Sequence, residues 1–346
     1  MRLSLKSVKT KTNKASDVLS KVLRNKLAIN IVPKYPRAVY IEVTNKCNLK
    51  CTMCPRCHLN RKIDDMDYEL FKKCIDEISR FNPKPSVQLA FLGEPLVNKK
   101  IISLIEYSKK NGLNTSLISN GLLLTKEIAD AFIQVKLDSI TFSIDAVTKE
   151  TYDKIRINSD FGQVHNNIEY LIERKNKLGV KLPAIQTSMV IQEANKAEYE
   201  DFIDKWIDKT HQVYFQRVFY DAEGNQGRQM FYRDVFSLDL EKRKPCYYLW
   251  ELVVVYCDGK VTVCPPDDFG LLVMGDISKQ SLYDIWHSKQ YNELRLRHLK
   301  NDLRNKKLCA SCDYWRGYIL KDKEINFKGR KLIKSENPLC ISYRKR

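Results

Sequence analysis

Residues 37–58 read RAVYIEVTNKCNLKCTMCPRCH. The first eight, Arg37–Thr44, are rich in β-branched and aromatic side chains and predict a strand. The loop that follows carries Cys47, Cys51 and Cys54 as C-x3-C-x2-C. Three thiolates on so short a loop can bind three irons of a cubane cluster and leave the fourth iron open to an outside ligand. Zinc sites more often use paired C-x2-C arms, and a zinc site that recruits Cys57 or His58 stays open at this point.

Outward from this loop, five more β-rich runs follow: Ser86–Gly93, Leu113–Asn120, Ser139–Asp145, Ala184–Ile191 and Gln212–Val218. Helical connections lie between them. Asp67 precedes an apolar stripe of Leu70, Phe71, Cys74, Ile75 and Ile78, and Thr125 and Thr148 have the character of N-caps. Strand alternating with helix predicts parallel βα units, arranged as a partial barrel or as an open doubly wound sheet. Periodicity does not separate the two, but in both the ligand chemistry collects at the carboxyl ends of the strands.

The net charge of +18 raises a nucleic-acid reading, so its placement matters. Residues 1–26 hold eight Lys/Arg against one acid and residues 321–346 hold nine against three, leaving +5 between them. Basicity therefore belongs to the ends, and nucleic acid is not the expected partner. Behind Asp17, residues Val18, Leu19, Val22 and Leu23 predict a short solvated amphipathic helix. The N-terminus lacks an apolar signal core and no run is long enough to span a membrane, so a cytoplasmic enzyme is expected. Eleven cysteines in a reducing compartment point to metal or redox chemistry before disulfides.

The context IEVTNKCNLKCTMCPR resembles the cluster loop of radical S-adenosylmethionine (SAM) enzymes. Leu92-Gly93-Glu94-Pro95 resembles the GGEP motif of that family, with leucine in place of the first glycine. The resemblance implies that Gly93 and Glu94 receive the methionyl ammonium of SAM, and that Ser119, Asn120, Ser143 and Asp145 contact its ribose and methionine. It further implies that Arg156 pairs with the SAM carboxylate and that Met53 lies near adenine. The implied fold is α/β, a partial (β/α)6 TIM-like barrel with a small C-terminal α+β auxiliary-cluster domain. The expected divisions are a basic extension over 1–36, a radical SAM core over 37–235, an auxiliary-cluster domain over 236–320 and a basic tail over 321–346.

Cys246, Cys264, Cys309 and Cys312 form a second set. Four thiolates in two arms satisfy either zinc or a closed [4Fe-4S] cluster, and spacing does not choose. The pattern C-x12-G-x4-C followed by C-x2-C resembles the SPASM or shorter twitch extension of radical SAM enzymes, which implies one auxiliary [4Fe-4S] cluster beside the SAM-binding one. Within it, Cys257-Asp258-Gly259 predicts a hairpin turn between Leu252–Tyr256 and Lys260–Val263, and Ser281 with Asp284 opens a helix running to about His298. Cys74 reads as core, Cys257 inside the hairpin as a packed thiol with a spare ligand as the alternative, and Cys57 and Cys340 have no assigned role.

What the resemblance implies is reductive SAM cleavage followed by hydrogen-atom abstraction, with an external one-electron donor such as a flavodoxin or ferredoxin. A closed auxiliary cluster offers no open iron, so its simplest role is an electron outlet and the net reaction a two-electron oxidation. A base for the departing proton is then needed, with Asp267 and Asp268 as candidates and Arg217 as an orienting cation. The architecture resembles that of 2-deoxy-scyllo-inosamine dehydrogenases, which implies oxidation of a secondary alcohol on a sugar or aminocyclitol, free or nucleotide-linked. Peptide modification or epimerisation is the alternative enzyme class, and a zinc-stabilised binding protein the alternative outside enzymology.

Overall fold

The computed structural model describes residues 32–217, 243–312, 314–318, 321–337 and 340–346. The helix expected behind Asp17 and the domain boundary expected near 235 lie outside the described residues. Six strands occur where alternation predicts them: β1 (Ala38–Ile41), β2 (Ser86–Leu89), β3 (Asn114–Ser119), β4 (Ser139–Ser143), β5 (Ala184–Ile191) and β6 (Gln212–Arg217). Between them lie α1 (Tyr68–Ile78), α2 (Ile101–Lys110), α3 (Lys126–Gln134), α4 (Lys149–Ile155), α5 (Phe161–Lys177) and α6 (Tyr199–Trp206). Asp67, Thr125 and Thr148 cap α1, α3 and α4 by accepting the amides of Leu70, Ile128 and Thr151.

All five pairings from β1 to β6 are parallel, and the spatial order follows the chain without a break. A doubly wound sheet reverses its order at a switch point. None occurs here, so the sheet is a partial TIM-like barrel. Along each strand, alternate residues go to opposite faces. Val39, Val87, Ile140, Ile185 and Val213 are buried on one face, each worth about 1.5–3 kcal/mol. Tyr40, Gln88, Thr141, Gln186 and Tyr214 on the other face line a cavity. A complete TIM barrel fills its interior with branched apolar side chains; this one keeps it hollow, with polar side chains among the apolar ones.

The sheet extends past both ends of the barrel, to twelve strands among the described residues. Next to β1 lies β7 (Leu252–Val255), parallel to it, then antiparallel β8 (Lys260–Thr262) and β9 (Val273–Asp276). Gly259 turns β7 into β8 at φ +86°, the hairpin its Asp-Gly pair predicts. The helix expected from Ser281 to His298 is two helices, α8 (Leu282–Trp286) and α9 (Lys289–Leu299), because Ser288 starts a new one by accepting the amide of Tyr291. After α7 (Tyr248–Glu251) and α10 (Lys307–Ser311), the chain closes with β10 (Lys321–Phe327), β11 (Arg330–Glu336) and β12 (Cys340–Lys345).

These last three strands occupy the stretch read from sequence as a basic tail. β12 pairs antiparallel with β6, and Leu332, Ser335, Ser342 and Tyr343 are buried. Its cations are not a free patch: Arg330 bonds Asp204 at 2.5 Å and Lys345 bonds Asp208 at 2.8 Å. The outer strand β10 is charged and mostly exposed, which discourages further strand addition. No helix among the described residues is long and apolar enough to cross a membrane.

Candidate active site

The loop after β1 is held on all sides. Asn45 donates to the carbonyl of Lys62 at 2.8 Å, Thr44 donates to Asp65 at 2.6 Å, and the amides of Lys50 and Thr52 bond the carbonyls of Ile157 and Ile155. Cys47, Cys51 and Cys54 thus sit on a fixed, partly exposed loop. Burial pushes the Cys47 thiol up, and the Leu49 amide, 3.4 Å from its sulfur, opposes that. Cys57 is exposed and donates to the carbonyl of Cys54, while Cys74 is buried in α1.

Gly93 lies directly under this loop. A Cβ there would meet the Thr44 oxygen at 2.1 Å and the Lys46 oxygen at 2.8 Å, so only glycine allows the two backbones to touch. Glu94 next to it is buried. Its carboxylate accepts from the Leu96 amide (3.1 Å), the Ser119 hydroxyl (2.8 Å) and the Asn120 amide (2.7 Å). Those bonds use three of the roughly four lone-pair sites of a carboxylate and leave one for a ligand. Burial raises its pKa, and the same three donors oppose the rise. Asn120 also donates to Asn48 of the cysteine loop at 2.9 Å.

A second knot joins the fourth strand to that loop. Asp145 adopts the left-handed region at φ +68° and pairs with Arg156 at 2.5 Å, both buried. Strain of this kind persists only where the surroundings enforce it; here Asp145 also accepts the Val190 amide at 2.6 Å. Arg156 reaches the Cys51 sulfur at 3.6 Å, while its Nε is buried with no protein partner. Burial works against the guanidinium charge, yet Asp145 and Cys51 hold its pKa above the ordinary value. The side chain expected on the SAM carboxylate is therefore already bridging an acid and a thiol.

Met53, Gly93, Ser143 and Asp268 line one cavity of about 570 Å³, together with residues of β1 to β6 and of the C-terminal strands. Asp267 does not line it. Its carboxylate accepts from Leu271, Leu272 and Thr262, and so ties down its own loop. Arg217 ends β6, and its side chain lies outside the described residues. Asn337 and Cys340, beside and at the start of β12, also line this cavity, a contribution from the expected tail that sequence reading missed. The missed signal was weak alternation over 330–345 in a stretch dominated by charge.

Cys246, Cys264, Cys309 and Cys312 border a second cavity. Burial pushes Cys246 up to about 11 and Cys309 up to about 12, and Cys264 well up, with the neighbouring thiols adding to it. Such thiols ionise together only around a strongly positive centre, so the donor set fits a metal cluster. Among the described residues no three His, Cys, Asp or Glu side chains converge as ligands of a single ion would. Tyr248 and Tyr314 line both cavities, with ring centroids 5.7 Å apart, and form the wall between them.

The hollow barrel with a cysteine loop at its first strand end, joined to a four-cysteine module, defines a radical SAM enzyme with an auxiliary iron–sulfur module. The chain belongs to the radical SAM superfamily: residues 41–205 match that family, and residues 246–313 match the SPASM iron-sulfur cluster-binding domain. Its cofactors are accordingly [4Fe-4S] clusters and SAM. A relative from Pyrococcus furiosus, a tungsten-containing aldehyde ferredoxin oxidoreductase cofactor-modifying protein, is 28% identical over 157 residues, 45% of this chain and 44% of the relative. The chain spans about half the length of the curated relatives it matches. BtrN in complex with AdoMet and 2-DOIA shares the fold at a TM-score of 0.54 and 19% identity, over 81% of this chain and 93% of BtrN. Streptococcus suis SuiB bound to precursor peptide SuiA does so at 0.60 and 15%, over 81% and 71%.

Proposed function

We propose that this enzyme oxidises a C–OH group of a small, hydroxyl-rich, uncharged or amine-bearing ring, a free sugar or aminocyclitol, to a ketone. In this reading Cys47, Cys51 and Cys54 hold the SAM-binding cluster, and Cys246, Cys264, Cys309 and Cys312 hold the auxiliary one. Glu94, with Gly93, Ser119 and Asn120, receives the amino-acid end of SAM, and Met53, Ser143, Asp145 and Arg156 complete that side. When bound, the SAM-binding cluster with SAM would supply hydrogen-atom abstraction and the auxiliary cluster a one-electron outlet.

The observation that carries the reading is the shared wall of Tyr248 and Tyr314. A substrate in the large cavity is one aromatic layer from the four cysteines. Loss of a hydrogen atom from carbon, a proton from oxygen and an electron through that wall balances the oxidation of an alcohol to a carbonyl.

The lining supports the substrate class. Gln88, Gln186, Gln212 and Gln216 present amides that donate and accept, as ring hydroxyls require. Burial raises the pKa of Tyr40, Tyr214, Tyr247 and Tyr248, so they are neutral donors and not bases. Asp268 is the one carboxylate among the described lining residues, which include no Lys or Arg. It takes the hydroxyl proton, and it suits an ammonium on the ring. Among the described residues of this lining, a phosphorylated or nucleotide-linked substrate finds no cation, which favours the free ring. The volume of about 570 Å³, shared with SAM, lies within the ~300–1,000 Å³ of small-molecule sites.

The test is anaerobic turnover of the reconstituted full chain with panels of aminocyclitols, sugars, nucleotide sugars and peptides. One ketone per 5′-deoxyadenosine from the first two panels is expected. Product from the peptide panel alone, or from nucleotide sugars alone, overturns the reading.

A further inference from the structure

We infer that Arg243, His298 and Trp315 form a hydrogen-bond donor shell around the four-cysteine cavity, and that this shell raises the reduction potential of the cluster held there. The inference rests on the proposed ligation by Cys246, Cys264, Cys309 and Cys312, which border the same cavity as these three side chains. The rest of that lining is largely apolar, with Leu249, Val263 and Leu308.

Each of the three carries a buried N–H with no acceptor in the protein: Arg243 Nε, His298 Nε2 and Trp315 Nε1. Hydrogen bonds fix the orientation of the first two. Arg243 is anchored by Nη1 to the carbonyl of Ala310 at 3.2 Å and by Nη2 to that of Cys309 at 2.5 Å, which fixes the plane of the guanidinium and the direction of Nε–H. His298 Nδ1 lies 3.3 Å from the Cys246 amide and accepts its proton, so the neutral ring carries its own proton on Nε2. The Trp315 ring lies beneath Arg243, 6.0 Å from guanidinium carbon to centroid. His298 and Trp315 are 5% and 7% exposed, which leaves little solvent to satisfy them.

Buried donors without partners are rare in folded proteins because each loses its water and gains nothing. Three on one small cavity call for acceptors inside it. The sulfurs of a cubane, four from cysteine and four inorganic, supply them in several directions. Hydrogen bonds to those sulfurs, and the guanidinium charge beside them, disperse the extra electron of the reduced state, so the reduced cluster is favoured. That is the direction an electron outlet needs.

The full chain with Cys47, Cys51 and Cys54 all changed to Ala leaves one cluster to observe. In that background, midpoint potential is read by EPR-monitored titration for Trp315→Phe, which removes only the N–H, for His298→Leu, and for His298→Gln, which retains a donor. Trp315→Phe and His298→Leu are expected each to lower the reduction equilibrium about tenfold, 59 mV for one electron, with His298→Gln closer to the parent. Exchangeable protons coupled to the reduced cluster, seen by pulsed EPR after transfer to deuterium oxide, are expected in the parent and diminished in Trp315→Phe. Unchanged potentials, or no coupled exchangeable protons, overturn the donor shell. Failure of the ligation itself looks different: the triple-Ala chain then binds zinc or no iron, and the proposal falls with it.

Discussion

Arg61 clasps Glu42 with two hydrogen bonds of 2.8 Å, Nη1 to Oε2 and Nη2 to Oε1, and Glu42 is fully buried. Glu42 follows β1 and also accepts the Cys257 amide at 3.1 Å, while Arg61 Nε donates to the carbonyl of Asp268 at 3.2 Å. The guanidinium lies 3.9 Å from the Tyr256 ring centroid. One ion pair thereby links the first strand, the segment after the cysteine loop and the proposed base. Breaking a buried pair leaves an uncompensated charge. Arg61→Met is therefore expected to destabilise the chain by about 3–5 kcal/mol in denaturant unfolding, and to lower ketone formation more than SAM cleavage. Wild-type stability in the variant would refute the link.

Gly93→Ala tests the contact between the glycine turn and the cysteine loop. The added methyl would overlap backbone atoms of Thr44 and Lys46, which cannot move aside like a side-chain tip. SAM affinity measured by equilibrium binding is expected to fall at least about tenfold, ~1.4 kcal/mol. Unaltered affinity would mean that the loop shifts at no cost.

Adjacent aspartates should separate cleanly. Asp268→Asn is expected to abolish ketone formation while 5′-deoxyadenosine still accumulates. Asp267→Asn would set an amide N–H against donors that now bond the carboxylate, and is expected to lose about 1–3 kcal/mol of stability. Equal turnover losses without a stability difference would contradict this division.

Tyr248→Ala opens the wall between the cavities. The expected result is slower reduction of the auxiliary cluster during turnover and more 5′-deoxyadenosine per ketone, measured by rapid-freeze EPR and product ratio. An unchanged ratio would show that the electron leaves by another route.

Acid sensitivity should include a contribution from His165 of α5, packed against Phe161 and Trp206. Burial lowers its pKa from 6.5, with Lys205 and Lys209 adding to that and Glu169 opposing it. The unfolded chain then binds more protons below about 6.5, so stability is present above that pH and falls as pH drops towards the lowered value. His165→Leu is expected to flatten the stability–pH profile in this window. An equally steep profile would remove His165 from the account.

Much of the fold was legible because its causes are local. β-branched alternation marked β1 to β6, Asp67, Thr125 and Thr148 marked helix starts, and cysteine spacing singled out the two thiol-bearing segments, all within stretches of a few residues. The sequence by itself thus determined a βα chain with a three-cysteine loop after its first strand, a second thiol set and an ordered succession of strand-end motifs. Tertiary structure decided what depends on residues far apart in the chain. It chose a barrel over a doubly wound sheet through strand order, brought Arg61 under Asp268 across 207 positions, sent Asp267 to its own loop, and turned the basic C-terminus into strands that line the cavity. Such pairings answer to packing and to buried charge seeking its partner, and no periodicity in a single chain records which distant side chain will supply it.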